Sequence, residues 1–174
     1  MLSEKNLDDL FFKICETLRE SPFASPADLE IEPKFVAREI IPRLKDVLKP
    51  ISILRIEGEG VRRARASRLF GCSFYPDISV MQGSDRLIAF EAKYIPREPA
   101  SAQGNIASAI GQAEIYRLNG YRRSGIILIS DRRISSTELE QTRILCRLDN
   151  RCVIYRRITQ NGLQPDRSIA FDVL

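Results

Sequence analysis

The sequence predicts an α/β chain, a mixed β-sheet with helices on its faces and one extra helix at the N-terminus. Three observations carry this. Apolar residues recur at helical spacing over residues 3–20 and again over 34–48. The period then changes at Ile51 to short strand-like runs, and from residue 100 onward helical and strand-like segments alternate. The order is α, α, three strands, then α, β, α, β.

Leu7, Leu10, Phe11, Ile14 and Leu18 make the first helix amphipathic, and Ser3 is a suitable N-cap. Residues 21–33 are rich in Ser, Pro and acidic side chains and read as a connection. Residues 34–48 form a second helix, bent at Pro42. Residues 51–57 (ISILRIE) are a strand, Gly58 and Gly60 punctuate it, and an arginine-rich loop runs from Gly60 to Gly71. Two strands follow within residues 74–95, around a loop of about three residues centred on Ser84. Residues 100–119 form a helix with Gly120 as C-cap. Residues 124–130 (SGIILIS) are a continuous apolar run, a strand covered on both faces. Residues 135–148 are helical with Ser135 or Ser136 as cap, 152–158 are a strand, and a short strand closes the chain near 169–173. The expected organisation is one domain over 1–174: an N-terminal helix and connection (1–32), a core (33–131), and a C-terminal helix and strands (132–174).

The chain has 174 residues, 44% of them apolar and 29% charged, an ordinary globular composition. Its start lacks the basic residues and apolar run of a signal peptide, and no segment has the roughly 18 apolar residues of a membrane span. A cytoplasmic protein without membrane contact is expected. The cysteines at 15, 72, 146 and 152 form no CxxC pair and read as small reduced core residues. Histidine is absent, which excludes Ser-His-Asp and Cys-His catalysis and His-ligated metals, so any chemistry runs on carboxylates, lysine, tyrosine or amides. The net charge is +4, and 21 of the 27 cations are arginine, whose planar fork suits phosphate oxygens. They cluster as Arg62, Arg63, Arg65 and Arg68, and in the pairs Arg122-Arg123, Arg132-Arg133 and Arg156-Arg157.

Within the strand pair, three charges require explanation: Asp77, Glu91 and Lys93. Residues two apart on a strand share a face, so Glu91 and Lys93 point the same way, and a loop centred on Ser84 sets Asp77 opposite Glu91. Facing carboxylates repel unless a cation lies between them. Lys93 supplies part of that charge, and hard oxygen ligands with open space also suit magnesium. Pro76 has no N–H for the ladder and leaves room beside Asp77. The apolar LIAF before Glu91 argues against a solvated face, which would be polar from the start.

Pro76-Asp77 followed by Glu91-Ala92-Lys93 on the next strand resembles the signature of the PD-(D/E)xK nuclease superfamily. Gln112 and Tyr116, four apart and so on one helical face, are similar to the QxxxY motif of its RecB-like branch. The resemblance implies a restriction-endonuclease-like core, αβββαβ, over residues 34–130, with a central mixed sheet flanked by helices. It leaves the first helix and the C-terminal third outside. The histidine ligand and iron–sulfur cysteines found in parts of that branch are missing.

What the resemblance implies for the site is specific. Asp77, Glu91 and the backbone carbonyl of Ala92 hold Mg2+, for which Mn2+ substitutes, against the scissile phosphate. Lys93 orients or deprotonates the attacking water, Gln112 steers the lysine or a water, and Tyr116 braces the site or touches the nucleic-acid backbone. Glu39 on the first core helix and Glu57 at the end of the first strand compete as a further acidic ligand. Arg62, Arg63, Arg65 and Arg68 grip phosphates. The expected activity is phosphodiester hydrolysis as an endonuclease or exonuclease, on DNA in preference to RNA, with a homodimer or a larger nucleoprotein complex as the candidate assemblies. Two alternatives remain: a binding module of the same fold that does not cut, and a protein-interaction subunit docking through the helix at 3–20.

Overall fold

A computed structural model describes residues 2–20, 32–96, 98–130, 137, 152–159 and 162–165. The predicted helix at 135–148, the strand near 169–173, Cys146, Arg132-Arg133 and all but the last residues of the connection at 21–33 lie outside the described residues. So do the side chains of Cys152, Arg156 and Arg157.

Helix α1 (Glu4–Glu20) begins after Ser3, whose hydroxyl accepts from the Asn6 N–H at 3.2 Å and so satisfies one of the donors a helix start leaves open. Leu7, Leu10, Phe11, Ile14, Cys15 and Leu18 are buried in the main core, where the rings of Phe11 and Phe90 stack at 5.8 Å. This apolar stripe is therefore already covered by the chain itself. The start of α1 is tied to the sheet by Arg122 and Arg123, which pair with Glu4 and Asp8. That cationic pair has a structural use. Just ahead of the helix, the Leu2 N–H donates to Gln82 Oε1 at 3.0 Å and the Leu2 carbonyl accepts from Arg122 at 3.2 Å.

The second helical stretch comes in three pieces: α2 (Glu32–Phe35), a π-helical turn over Val36–Ile40, and α3 (Ile41–Leu48). Pro42 has no N–H to return to the preceding turn, and the ladder widens to the π pattern just ahead of it. Strand β1 (Leu54–Gly58) starts three residues later than its sequence predicts, because Ile51 closes the end of α3, its N–H donating to the Leu48 carbonyl at 2.8 Å. The arginine-rich stretch is not a plain loop: β2 (Ser67–Leu69) and β3 (Cys72–Phe74) pair as a small separate hairpin. Cys72, on that hairpin, is exposed and is not the core residue its type suggested, whereas Cys15 is buried.

Strands β4 (Ile78–Gln82) and β5 (Asp85–Ile95) are antiparallel. Their turn is Gly83-Ser84, one residue shorter than expected, and a bulge restores the count: Val80 faces Ile88 while Met81 faces Arg86, leaving Leu87 extra. Helix α4 (Pro99–Leu118) is capped by the Glu98 carboxylate, which accepts from the Ala100 and Ser101 N–H groups. It ends at Asn119, with Gly120 at φ +95° taking the left-handed position that a side chain resists. Strand β6 (Arg123–Ser130) then runs parallel to β5, β7 (Cys152–Thr159) parallel to β6, and β8 (Gly162–Pro165) antiparallel to β7. The fold is a mixed α/β one with sheet order β1-β4-β5-β6-β7-β8.

Alternation along the strands separates two layers. Ile56, Ile78, Val80, Ile88, Phe90, Ala92, Ile127 and Ile129 join α1 and α3 in the main core. Met81, Ala89, Ile126 and Leu128 face α4, so β5 and β6 are covered on both sides as their apolar runs require. Glu91, between Phe90 and Ala92, is thereby committed to the α4 face. Among the described residues no helix is long and apolar enough to cross a membrane.

Candidate active site

Ile78 pairs with Phe90, and the next step of that register sets Asp77 opposite Glu91. Pro76 ends the ladder here as its missing N–H requires. The Ala92 N–H, beyond the last strand partner, is instead taken by Asp77 Oδ2 at 2.8 Å. The carbonyl of the same residue points to the same side of the strand. It faces the gap left by the interrupted ladder and accepts from Lys93 Nζ at 3.1 Å.

Glu91 is 3% exposed, and a carboxylate so buried must be matched by donors. Lys93 Nζ lies 2.7 Å from Oε1. The Tyr116 hydroxyl donates to Oε2 at 2.6 Å. The Gln112 amide meets the same carboxylate, its NH2 donating to both oxygens in the orientation that satisfies its neighbours. Gln112 and Tyr116 do this together because four residues on α4 make one turn. Burial, the neighbouring Glu91 and the charge of Asp77 hold the Tyr116 phenol far above its usual range, so it is a donor at any physiological pH. Asp77, Glu91, Lys93, Gln112 and Tyr116, drawn from three parts of the chain, are one network.

The two further acids differ. Glu57 is 1% exposed, on β1 opposite Ser79 and hence on the same sheet face as Asp77 and Glu91. Its Oε1 accepts from Arg55 Nε at 3.0 Å, and its Oε2 is buried without a hydrogen-bond partner. Glu39 is on the π-helical turn and pairs with Arg43 one turn on, at 3.1 Å. Of the pair, Glu57 is the one aligned with the site. Among the described residues no three acidic, cysteine or histidine side chains converge as a metal-binding group. The donor set that does converge is two carboxylates and the Ala92 carbonyl. All are hard oxygen ligands, and the set fits magnesium, which takes one or two carboxylates and completes its shell with waters and phosphate oxygens.

Arg62, Arg63, Arg65 and Arg68 are all exposed, as a phosphate grip requires. Arg63 lies over the ring of Tyr75 at 4.1 Å, and the Tyr75 carbonyl also accepts from the Tyr116 hydroxyl, at 3.0 Å. Tyr75 is a site residue that sequence reasoning passed over; the signal was an aromatic directly before Pro76-Asp77. Asn119 was missed as well. Its amide holds the Arg68 backbone from both sides, Oδ1 accepting from the N–H at 2.9 Å and Nδ2 donating to the carbonyl at 3.3 Å, which ties the hairpin to the end of α4.

Comparison with protein-family models, curated proteins and solved structures finds no match. The geometry of the site therefore carries the functional reading.

Proposed function

We propose that the chain is a metal-dependent nuclease of the PD-(D/E)xK type, built on a restriction-endonuclease-like core and hydrolysing phosphodiester bonds, in DNA ahead of RNA. The single observation behind this is the convergence of Asp77, Glu91, Lys93, Gln112 and Tyr116 at the point where the β4–β5 ladder breaks. A purely structural ion pair has no need of a second carboxylate, an interrupted ladder and an exposed arginine cluster beside it.

Asp77, Glu91 and the Ala92 carbonyl would hold Mg2+, which when bound neutralises charge on the scissile phosphate and acidifies water. The chain's own residues do the rest. Lys93, an ammonium with three rotatable donors, offsets negative charge on the phosphate oxygens and orients the attacking water. Gln112 and Tyr116 fix the Glu91 carboxylate from the α4 side so that it presents one geometry. Water oxygen bonds to phosphorus, the bond to the leaving oxygen breaks, and the water's proton passes to solvent or to that oxygen.

A cleavage assay on circular and linear duplex DNA, single-stranded DNA and RNA, with Mg2+, Mn2+ or EDTA, tests this beside Lys93→Ala. Metal-dependent products from the wild type alone support the nuclease. Binding without cutting on every substrate supports a second reading, a nucleic-acid-binding module. That alternative draws on the Lys93 ammonium already seated against Glu91 and Ala92.

A further inference from the structure

The β2–β3 hairpin carries a feature that folding does not explain. Its turn is Phe70-Gly71, between the paired residues Leu69 and Cys72. Both turn residues have positive φ, +49° and +77°, the pattern of a type I′ turn, whose first position favours Asn, Asp or Gly. A bulky side chain in that region is a conformational outlier. Phe70 is also 96% exposed, so no packing among the described residues compensates for it. Strain of this kind persists where a ligand uses it.

The surroundings say which ligand. Arg62, Arg63 and Arg65 lead into the hairpin and Arg68 lies on it, all exposed, and no acidic residue lies between Val61 and Pro76. The mount is firm: Asn119 grips Arg68, Arg86 donates to the carbonyls of Ala66 and Asn119 at 2.9 Å, and Phe74 packs against Met81, Ala89, Tyr116 and Tyr121. The same helix thus positions the hairpin and the Glu91 carboxylate. Rigid aromatic tips among arginines are suited to nucleobases, since every base offers a π-face and every phosphate a charge.

We propose that Phe70 stacks on an unpaired or unstackable base, and that the hairpin selects nucleic acid with exposed bases, whether single strands, bulges, mismatches or ends, over perfect duplex. This rests on the nucleic-acid part of the function proposed above. Seven residue steps separate Phe70 from Asp77, at most about 23 Å at 3.3 Å per extended residue. With about 3.4 Å per base step, the base addressed lies within about seven steps of the phosphate at Asp77.

The test measures affinity of the full chain for a single-stranded oligonucleotide, a bulged duplex and a perfect duplex, across salt concentrations, for wild type, Phe70→Ala, Phe70→Tyr and Phe70→Asn. Phe70→Ala is expected to weaken binding to the single strand and the bulge by roughly 5- to 150-fold, with the salt slope and duplex affinity unchanged. Phe70→Tyr keeps the binding. Phe70→Asn, which suits the turn, loses it while melting at or above the wild-type temperature, which separates lost stacking from lost folding. Equal affinity of wild type and Phe70→Ala for every oligonucleotide overturns the inference alone and leaves the tip to a protein partner. Parallel losses on all three substrates also overturn it. Failure of the wild type to bind any nucleic acid overturns it together with the nuclease reading.

Discussion

Replacing Tyr116 by phenylalanine removes one oxygen from the buried side of helix α4 and leaves its ring against Met81, Ala89 and Tyr121. That oxygen donates to Glu91 at 2.6 Å, a bond to a carboxylate that is almost fully buried. Such bonds are worth about 1.5–3 kcal/mol when one partner is deleted. A chain of this size loses about 2–4 °C of melting temperature per kcal/mol. The expected loss for Tyr116→Phe is therefore about 3–12 °C, read by thermal or urea unfolding at pH 7 to 8. The pH dependence adds a sign. Because burial and Glu91 raise the phenol above its unfolded value of about 10, the folded state keeps a proton that the unfolded state gives up. The stability this lends is complete below pH 10 and declines as pH rises further, so wild type and variant should converge towards pH 11. A Tyr116→Phe protein as stable as wild type at pH 8, or a gap that widens in alkali, would refute the network as the support of Glu91.

Other substitutions probe the site from different sides. At Gly58, with φ +142°, an added Cβ would lie on the Asp77 carbonyl oxygen, so Gly58→Ala should displace Asp77, destabilise the fold by about 2 kcal/mol or more, and abolish cleavage; full activity would show that the Asp77 position is not critical. Lys93 touches two of the donors a cation would take, so Lys93→Met should bind Mn2+ on the order of tenfold more tightly in the absence of nucleic acid, by calorimetry or spin resonance, while losing cleavage. Unchanged or weaker Mn2+ binding would count against that overlap. Changing Arg62, Arg63, Arg65 and Arg68 together to glutamine should flatten the dependence of log affinity on log salt by about 0.9 for each phosphate no longer neutralised, and an unaltered slope would assign these arginines to solvent.

The legible parts of the fold were those governed by period. Apolar runs located β4, β5 and β6, and helical spacing located α1, because burial on one or both faces leaves its imprint on the sequence; α4 was legible instead from its Ala- and Ser-rich composition and the Gly120 C-cap. The facing of Asp77 and Glu91 was also legible, although by a route the sequence hides: a two-residue turn and an extra Leu87 together give the register that one three-residue loop would have given. What escaped was set by tertiary context. Three-residue strands such as β2 and β3 are too short to show a period, and Cys72 followed them to the surface. The π turn before Pro42 depends on how the ladder relieves a missing donor. The choice between Glu57 and Glu39 needed the sheet register, since only that shows Glu57 opposite Ser79 on the face that α4 covers.

The anchoring of Leu2 to Gln82 has a practical corollary for anyone handling the protein. Gln82 is at the turn end of β4 and Asp77 at the other, about 17 Å away at 3.3 Å per residue. Whatever is joined ahead of Leu2, be it a purification tag, a fluorophore or a second domain, emerges at the pole opposite the carboxylates. Surface immobilisation through that end would leave the carboxylate end of the strands turned away from the support, whereas a label on the exposed Cys72 would stand on the hairpin itself.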